Sequence, residues 1–371
     1  MSKTISFIRF PLTVGIVFIH FSLNEGLFIH GIRYGMDNPE WYFFIINIIS
    51  QVFARVCVPL FYVISGFLFF YGDDFCPGVF QRKLKSRFRT LLIPFLIWNI
   101  IAVVWQMKSL LPGVSSYFTP VEIKFSMLRI FNTFFCCSNS NGILVTSALN
   151  DSTGGLYPID VPLWFIRDLM VMVLFSPVIY WIIKRVGNVF LVLMCLLWFS
   201  SPLYIPKDSY VMSLITASTF FSIGASFSIN KMDLVSSFQR WMFVPFIYIP
   251  IAIADALTKN QEYNVYFHKL GILVGIVSAV VLASCFVRNG KGRHSIALAN
   301  CSFFIYALHF LFIGDLGKIA FVTLHVPDNN PYAMLALYFV VPIISVLICL
   351  GLYTLLKRYM PKVCNLLIGG R

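Results

Sequence analysis

The chain has 371 residues, of which 59% are hydrophobic and 12% are charged, and its mean hydropathy is +0.83. A soluble domain carries roughly 25% charged residues, so this composition excludes a soluble globular protein and indicates an integral membrane protein in a lipid bilayer. The net charge is +13. Because the basic residues are spread over many loops, without a patch of interleaved aromatic residues, the sequence predicts no nucleic-acid partner.

Apolar segments recur along the sequence and predict an all-α polytopic membrane protein, with one transmembrane domain over 1–371. Stretches of about twenty apolar residues are long enough to span a bilayer, and we predict about ten of them. The segment 42–71 exceeds one span, which favours an interfacial helix at its start. The predicted spans are roughly 6–24, 50–71, 90–107, 163–184, 188–205, 211–229, 242–258, 268–287, 296–315 and 333–356.

Alternate loops between these spans are rich in Lys and Arg, whereas acidic residues gather in the others. Basic loops remain in the cytoplasm, so the sequence predicts cytoplasmic N- and C-termini. The basic run 82–89 then also lies in the cytoplasm. The largest loop, about 108–162, is predicted to be external.

Two ionisable residues, Arg9 and His20, lie in the first predicted helix. Such a group inside a membrane-spanning helix costs roughly 2.5–3.5 kcal/mol on insertion scales, which makes it a functional-site candidate. Eleven residues at about 100° each return to within roughly 20° of the same helix face and span about 16 Å along the axis. We therefore expect Arg9 near one membrane surface and His20 deeper on the same stripe. A cation such as Arg9 on the same helix face as a proton carrier such as His20 favours a catalytic role for the pair over a packing role.

Further candidates lie close to this helix in the sequence. Glu25 follows His20 and is able to orient its imidazole or to meet a substrate hydroxyl. The basic run before the third predicted span offers Lys83, Arg87 and Arg89 as an anion site. The alternative for this run is that it only anchors the loop.

Trp164 begins the fourth predicted helix, with Arg167 and Asp168 one turn deeper. Tryptophan is common at membrane interfaces, but its ring also stacks on sugars. Arg167 and Asp168 either pair with each other or line a cavity, because ionisable groups at this depth face the interior of the bundle. His309, in the ninth predicted helix, is either a cavity residue or a hydrogen-bonded core histidine.

Several catalytic motifs are missing from the sequence. The nine cysteines form no CxxC pair and no Cys/His cluster with metal-ligand spacing, so no metal site is predicted. The chain also lacks GxSxG, HExxH, P-loop and GxGxxG motifs. Their absence argues against a hydrolase, a metalloprotease and an ATP-driven pump.

Five stretches, in this order, resemble the membrane-bound acyltransferase-3 family, and together they cover nearly the whole chain. Each has low specificity alone, whereas five in the right order are specific. They are Arg9-x10-His20, VPLFYVISGFLFF at 58–70, KLKSRFRTLLIPFLIWN at 83–99, PLWFIRDL at 162–169 and NCSFFIYALHFLF at 300–312.

The resemblance implies an O-acyltransferase of the bacterial inner membrane. Such an enzyme moves an acyl group, usually acetyl, from cytoplasmic acyl-CoA (acetyl-CoA) to a hydroxyl of a surface polysaccharide or lipid-linked sugar. It implies that His20 is catalytic, either as general base or as a short-lived acyl carrier, and imidazole chemistry suits both roles.

The same resemblance suggests roles for the other candidates. Arg9 and Arg87 are expected to bind donor phosphates through paired hydrogen bonds, with Lys83 and Arg89 beside them. Glu25 is expected to orient the imidazole. Four residues are expected on the acceptor side: Trp164, Arg167, Asp168 and His309.

The principal alternative is a polytopic glycan polymerase, flippase or secondary transporter, which also combines many helices with basic cytoplasmic loops. Transporters often show internal repeats and paired broken helices, and the sequence has no clear repeat. A polymerase is expected to carry arginines in external loops, and few occur there (Arg33 and Arg129).

Overall fold

A computed structural model gives the arrangement of these segments. It describes residues 2–29, 31–72, 74–110, 122–123, 127–135, 145–146, 157–205, 209–290 and 295–370. Most of the predicted external loop, about 108–162, lies outside the described residues. Its described parts include one short helix and one pair of two-residue strands.

Helices make up most of the described chain and strands very little of it, which confirms the all-α polytopic prediction. They are α1 (Ser2–His20), α2 (Glu40–Ile46), α3 (Cys57–Phe70), α4 (Pro77–Arg87), α5 (Ile93–Gln106), α6 (Met127–Phe135), α7 (Trp164–Val186), α8 (Asn188–Ser200), α9 (Tyr210–Ile229), α10 (Leu234–Gln239), α11 (Val244–Leu257), α12 (Asn264–Arg288), α13 (Ser295–Thr323), α14 (Pro331–Tyr359) and α15 (Pro361–Ile368). The short antiparallel pairs are β1 (Leu27–Ile29) with β2 (Ile32–Tyr34), and β3 (Glu122–Ile123) with β4 (Val145–Thr146).

Eight helical segments in the described part are long and apolar enough to cross a membrane. The two remaining predicted spans correspond to shorter apolar helices, at Asn188–Leu203 and Val244–Leu257. The ten apolar segments therefore occur where the sequence predicts them, although two of them are short. The C-terminal helix α15 was not among the predicted elements.

Two of the long segments contain irregular helical turns. The segment Glu40–Phe70 runs without a break from α2 through a π-helical stretch, Asn47–Phe53, and a 3-10 turn, Ala54–Val56, into α3. The predicted interfacial helix is thus continuous with the span that follows. A second π-helical turn, Phe88–Leu92, joins α4 to α5. Such wide turns occur frequently at functional sites.

Helices α3 and α9 approach each other closely through two glycines. A Cβ atom on Gly66 would clash with the backbone of Phe221, and one on Gly224 would clash with the backbone of Val63. Small residues at such a crossing let two membrane helices come into backbone contact. The glycine in the stretch 58–70 thus serves packing.

Candidate active site

The first helix carries both residues that the sequence selects, with Arg9 in its middle and His20 as its last residue. The helix runs unbroken between them, so their separation along the axis is about 16 Å. Helix α1 packs along α13, where a Cβ on Gly317 would clash with the ring of Phe21. This packing brings the end of α1 beside the middle of α13.

His20 and His309 form the centre of the candidate site. Their ring centroids are 5.3 Å apart, and the ring of Phe310 stands edge-on to His20 at 5.1 Å. His20 is half-buried, and no described residue forms a hydrogen bond with its ring. Both nitrogens of the His20 imidazole are therefore available to a substrate.

The second imidazole, that of His309, is completely buried at 0% exposure. Its Nδ1 lies 2.9 Å from the carbonyl oxygen of Ile305, which only accepts hydrogen bonds, so Nδ1 carries the proton. Nε2 is then an acceptor, and it has no partner in the described part of the chain. A buried polar atom without a partner is rare and costs free energy, which is typical of a functional site.

The structure does not bring Glu25 to His20. The chain turns away after α1 through Gly26, whose φ of +72° favours glycine. The Glu25 carboxylate is 86% exposed and lies 3.7 Å from Arg33. The neighbouring Asn24 donates its amide N–H to Asn47 over 2.5 Å. The expectation that Glu25 orients the imidazole is therefore corrected, since this carboxylate faces solvent.

Arg9 and Arg87 line the same cavity, about three helical turns from His20 toward the start of α1. The cavity has a volume of about 420 Å³, and the charge of Arg9 acts on Arg87. Neither guanidinium has a carboxylate within ion-pair distance among the described residues. Two like charges held together without a counter-ion favour binding of an anion. Other polar residues of the wall are Thr13, Ser65, Thr90, Asn300, Ser302 and Tyr306.

This cavity does not include His20 in its wall. One residue of its wall, Tyr306, lies one helical turn before His309 on α13. The hydroxyl of Tyr306 donates a hydrogen bond to the carbonyl oxygen of Pro162. The cavity therefore reaches the same part of α13 that carries His309.

The remaining basic candidates, Lys83 and Arg89, lie at two different sites. Lys83 donates a hydrogen bond of 2.6 Å to the carbonyl oxygen of Phe69 and lies over its ring. Arg89 lines a different, more open groove together with Lys85 and Lys362. Of the cations predicted for the donor, only Arg87 shares the cavity of Arg9.

Two of the predicted acceptor residues on α7, Arg167 and Asp168, form an ion pair. Arg167 donates from Nε to Asp168 over 2.8 Å, and the two side chains are 4% and 0% exposed. Asp168 also accepts a hydrogen bond from Ser213, while Arg167 lies 4.5 Å from the ring of Tyr210. The sequence left open whether Arg167 and Asp168 pair with each other or line a cavity, and in the structure they pair. Trp164 packs against Tyr157 at 6.4 Å, outside the cavity wall.

A further charged residue, Arg55, was missed by the sequence reasoning. It lies between two buried residues within the predicted span 50–71, so the rule that selected Arg9 applies to it equally. Its charge acts on His20. Among the described residues, no group of three His, Cys, Asp or Glu side chains is arranged to hold a metal ion.

Comparison with known proteins agrees with this architecture. The fold defines a multi-pass helical membrane protein. The sequence profile of the family described as "Acyltransferase domain" matches residues 3–354. The chain is also 24% identical, over 386 aligned residues, to the "Succinoglycan biosynthesis protein ExoH" of Rhizobium meliloti (strain 1021), with 100% of this chain and 93% of that protein covered. No solved structure matches.

The chain belongs to the acyltransferase-3 family and is a membrane acyltransferase. This membership confirms the family resemblance of the five sequence stretches. It favours an enzyme over the alternative of a polymerase, flippase or transporter.

Proposed function

We propose that this protein moves an acetyl group from cytoplasmic acetyl-CoA to a hydroxyl of a surface polysaccharide or lipid-linked sugar, in the inner membrane of a bacterium. One observation carries the proposal. Two arginines without carboxylate partners in the described chain, Arg9 on α1 and Arg87 at the end of α4, line one cavity, and α1 ends at His20, whose ring has no hydrogen-bond partner among the described residues.

The donor is proposed to bind at Arg9 and Arg87. A guanidinium binds phosphate through two parallel hydrogen bonds, and CoA carries several phosphates. The pantetheine arm is long and slender, which suits a cavity of about 420 Å³ between helices. The arm would extend from the arginines past Tyr306 and carry the thioester toward His20. The separation of about 16 Å along α1 is compatible with this length.

His20 is proposed to act as general base. Its unprotonated ring nitrogen takes the proton of the acceptor hydroxyl while the hydroxyl oxygen attacks the thioester carbonyl carbon. The C–O bond forms, the C–S bond breaks, and the proton passes from His20 to the leaving thiolate. The products are the sugar ester and free CoA. His20 ends α1, and the partial negative charge at a helix C-terminus favours the positive charge that this base acquires.

His309 is proposed to support this step. Its neutral ring faces His20 at 5.3 Å and has an unpartnered acceptor, Nε2. An acceptor beside a base stabilises the protonated form of that base through a direct or water-mediated hydrogen bond. Glu25 has no part in the proposed mechanism, because its carboxylate lies against Arg33.

The acceptor is proposed to be a glycan. The relative from Rhizobium meliloti is a succinoglycan biosynthesis protein, and succinoglycan is a polysaccharide. Orientation follows from the distribution of charge. Basic loops favour the cytoplasm, so the Arg9 end of α1 would face the cytoplasmic acyl-CoA and the His20 end would face the acceptor.

The proposal is tested with a matched pair of histidine variants. His20→Asn and His325→Asn make the same change at the candidate base and at an exposed loop histidine. Membranes carrying equal amounts of each protein are given acetyl-CoA labelled in the acetyl group, and label in the glycan fraction is counted. We expect His20→Asn to lower transfer about 10²- to 10⁴-fold and His325→Asn to leave it unchanged. Undiminished transfer by His20→Asn would contradict the assignment.

A further inference from the structure

Arg55 is a charged residue in the middle of a long apolar segment, Glu40–Phe70. Its neighbours Ala54 and Val56 are each 4% exposed, whereas Arg55 itself is solvent-exposed. It lies in the 3-10 turn that follows the π-helical stretch Asn47–Phe53. An ionisable residue at such depth is costly, and it is a candidate for binding a substrate or an ion.

The guanidinium of Arg55 lies near residues of three other elements. Its charge acts on His20 at the end of α1 and on His268 near the start of α12. Arg55 also interacts electrostatically with Tyr157, which precedes α7. Hydrogen bonds of Ser50 and Gln51 to Phe18 and Ser22 also place this segment at the His20 end of α1.

The partners of Arg55 leave its positive charge without a counter-ion. Both Nε and Nη2 donate to one oxygen, Oε1 of Gln51, over 3.0 and 2.6 Å. A neutral amide satisfies hydrogen bonds but does not neutralise a charge. No described carboxylate lies within 4.0 Å of Arg55. The carboxylate of Asp255 binds Lys259 and His268 instead.

The segment that carries Arg55 is fixed against the end of α1. Asn47 accepts the hydrogen bond from Asn24, and the Ser50 hydroxyl donates a hydrogen bond of 2.8 Å to the carbonyl oxygen of Phe18. Gln51, which holds the guanidinium, also contacts the Ser22 hydroxyl over 3.4 Å. These contacts fix the position of the cation relative to the catalytic helix. Fixed donors lose less entropy when they bind an anion than mobile side chains do.

We propose that Arg55 binds a negatively charged group of the acceptor, a carboxylate or a phosphate, and thereby positions the acceptor hydroxyl at His20. The part of this inference that concerns the acceptor hydroxyl at His20 rests on the proposed function. It makes the acceptor an acidic sugar or a sugar phosphate. The site is distinct from the Arg9–Arg87 cavity, whose wall does not include Arg55.

A binding experiment tests the anion site independently of catalysis. Wild type, Arg55→Gln, Arg55→Lys, Arg9→Gln and Arg33→Gln are placed in phosphatidylcholine nanodiscs and titrated with methyl β-D-glucuronide, inorganic phosphate and the neutral methyl β-D-glucoside. We expect saturable binding of an anionic probe to wild type. The affinity should fall at least tenfold in Arg55→Gln and less in Arg55→Lys. Arg33→Gln is the control, since this arginine is exposed and pairs with Glu25.

Several results of that titration would overturn the proposal. These are an affinity unchanged in Arg55→Gln, equal binding of the neutral glucoside, no saturable binding of either anion to wild type, or loss of binding in Arg9→Gln instead. Unaltered thermal unfolding of Arg55→Lys without probe shows that the comparison is made between folded proteins. Anion binding by a wild type that transfers no acetyl would count against the proposed function only.

A transfer assay identifies which substrate carries the anion. Arg55→Gln is expected to raise the KM for the acceptor at least tenfold and to leave the KM for acetyl-CoA unchanged. A raised KM for acetyl-CoA alone would mean that the anion belongs to the donor, and it would overturn the acceptor assignment. Arg33→Gln should change neither constant.

Discussion

Cations of the helical segments occur in two settings in this molecule. Arg167 and Lys269 are each 4% exposed and are held by protein groups: Arg167 by Asp168, and Lys269 by the Trp198 carbonyl and the Ser201 hydroxyl. A second set consists of Arg9, Arg55 and Arg87, which are less buried and have no carboxylate partner in the described chain. Arg9 and Arg87 line a cavity, and Arg55 is solvent-exposed.

We propose that this difference separates structural charges from ligand-binding ones. A cation whose hydrogen bonds are satisfied by protein adds nothing to substrate binding, but its loss leaves a buried partner uncompensated. A cation without a counter-ion is retained at a cost to stability, and a substrate anion is the natural source of the missing charge. The comparison therefore predicts opposite outcomes for substitutions in the two sets.

The largest effect is expected from breaking the pair on α7. Asp168→Asn leaves Arg167 buried without its counter-ion and should lower the free energy of unfolding by about 3–5 kcal/mol. Thermal unfolding in detergent measures this change. Asp328→Asn is the matched control at an exposed aspartate and should leave the unfolding temperature unaltered. Equal stability of the two variants would place Arg167 with the ligand-binding cations.

The next effect concerns the cavity proposed to bind the donor. Arg9→Gln or Arg87→Gln removes a charged hydrogen-bond donor from this proposed phosphate site, an interaction of about 1.5–3 kcal/mol. We expect the KM for acetyl-CoA to rise about 10- to 100-fold, with unaltered thermal unfolding. Steady-state kinetics at varied acetyl-CoA measure it. A fall in unfolding temperature like that of Asp168→Asn would show a structural role instead.

A smaller effect is expected at the second imidazole. His309→Phe keeps a ring beside His20 but removes the unpartnered acceptor Nε2. The kcat should fall about tenfold, equivalent to about 1.4 kcal/mol, while both KM values stay constant. Rate measurements at saturating substrate check this. An unchanged kcat would make His309 a packing residue of the core.

The smallest effect concerns a buried carboxyl outside the spans. Asp160 is 0% exposed, and burial raises the pKa of its carboxyl well above the ordinary value. The folded protein then holds a proton that the unfolded chain releases, so this group lowers stability as pH rises above about 4. Asp160→Asn should raise the unfolding temperature by roughly 2 °C at pH 7. The gain should vanish near pH 4, and a gain independent of pH would contradict this cause.

The sequence predicts the helices, and the position of Arg9 and His20 on one of them, for a simple physical reason. The long apolar segments follow from the thickness of the bilayer, and Arg9 and His20 share one helix, so their relation needs only helical geometry. The convergence of Arg9 and Arg87 is predicted by family resemblance. The cavity that they share in the structure agrees with that expectation.

Tertiary contacts account for what the sequence does not predict. The π-helical stretch before Arg55 contains neither proline nor glycine, and its side chains form hydrogen bonds with α1 and with the residues that follow α1. The pairing of Arg167 with Asp168 was one of two open alternatives, because adjacency does not decide whether side chains turn toward each other. The outward turn of Glu25 depends on Gly26, whose backbone conformation is not evident from its identity alone.

The central claim is that unpaired cations at the two ends of α1 bind different substrates, and a paired kinetic measurement tests it most directly. KM values for acetyl-CoA and for the acceptor glycan are determined for wild type, Arg9→Gln and Arg55→Gln in nanodiscs. We predict that Arg9→Gln raises only the KM for acetyl-CoA and that Arg55→Gln raises only the KM for the acceptor. Both variants raising the same constant, or neither raising any, would contradict it.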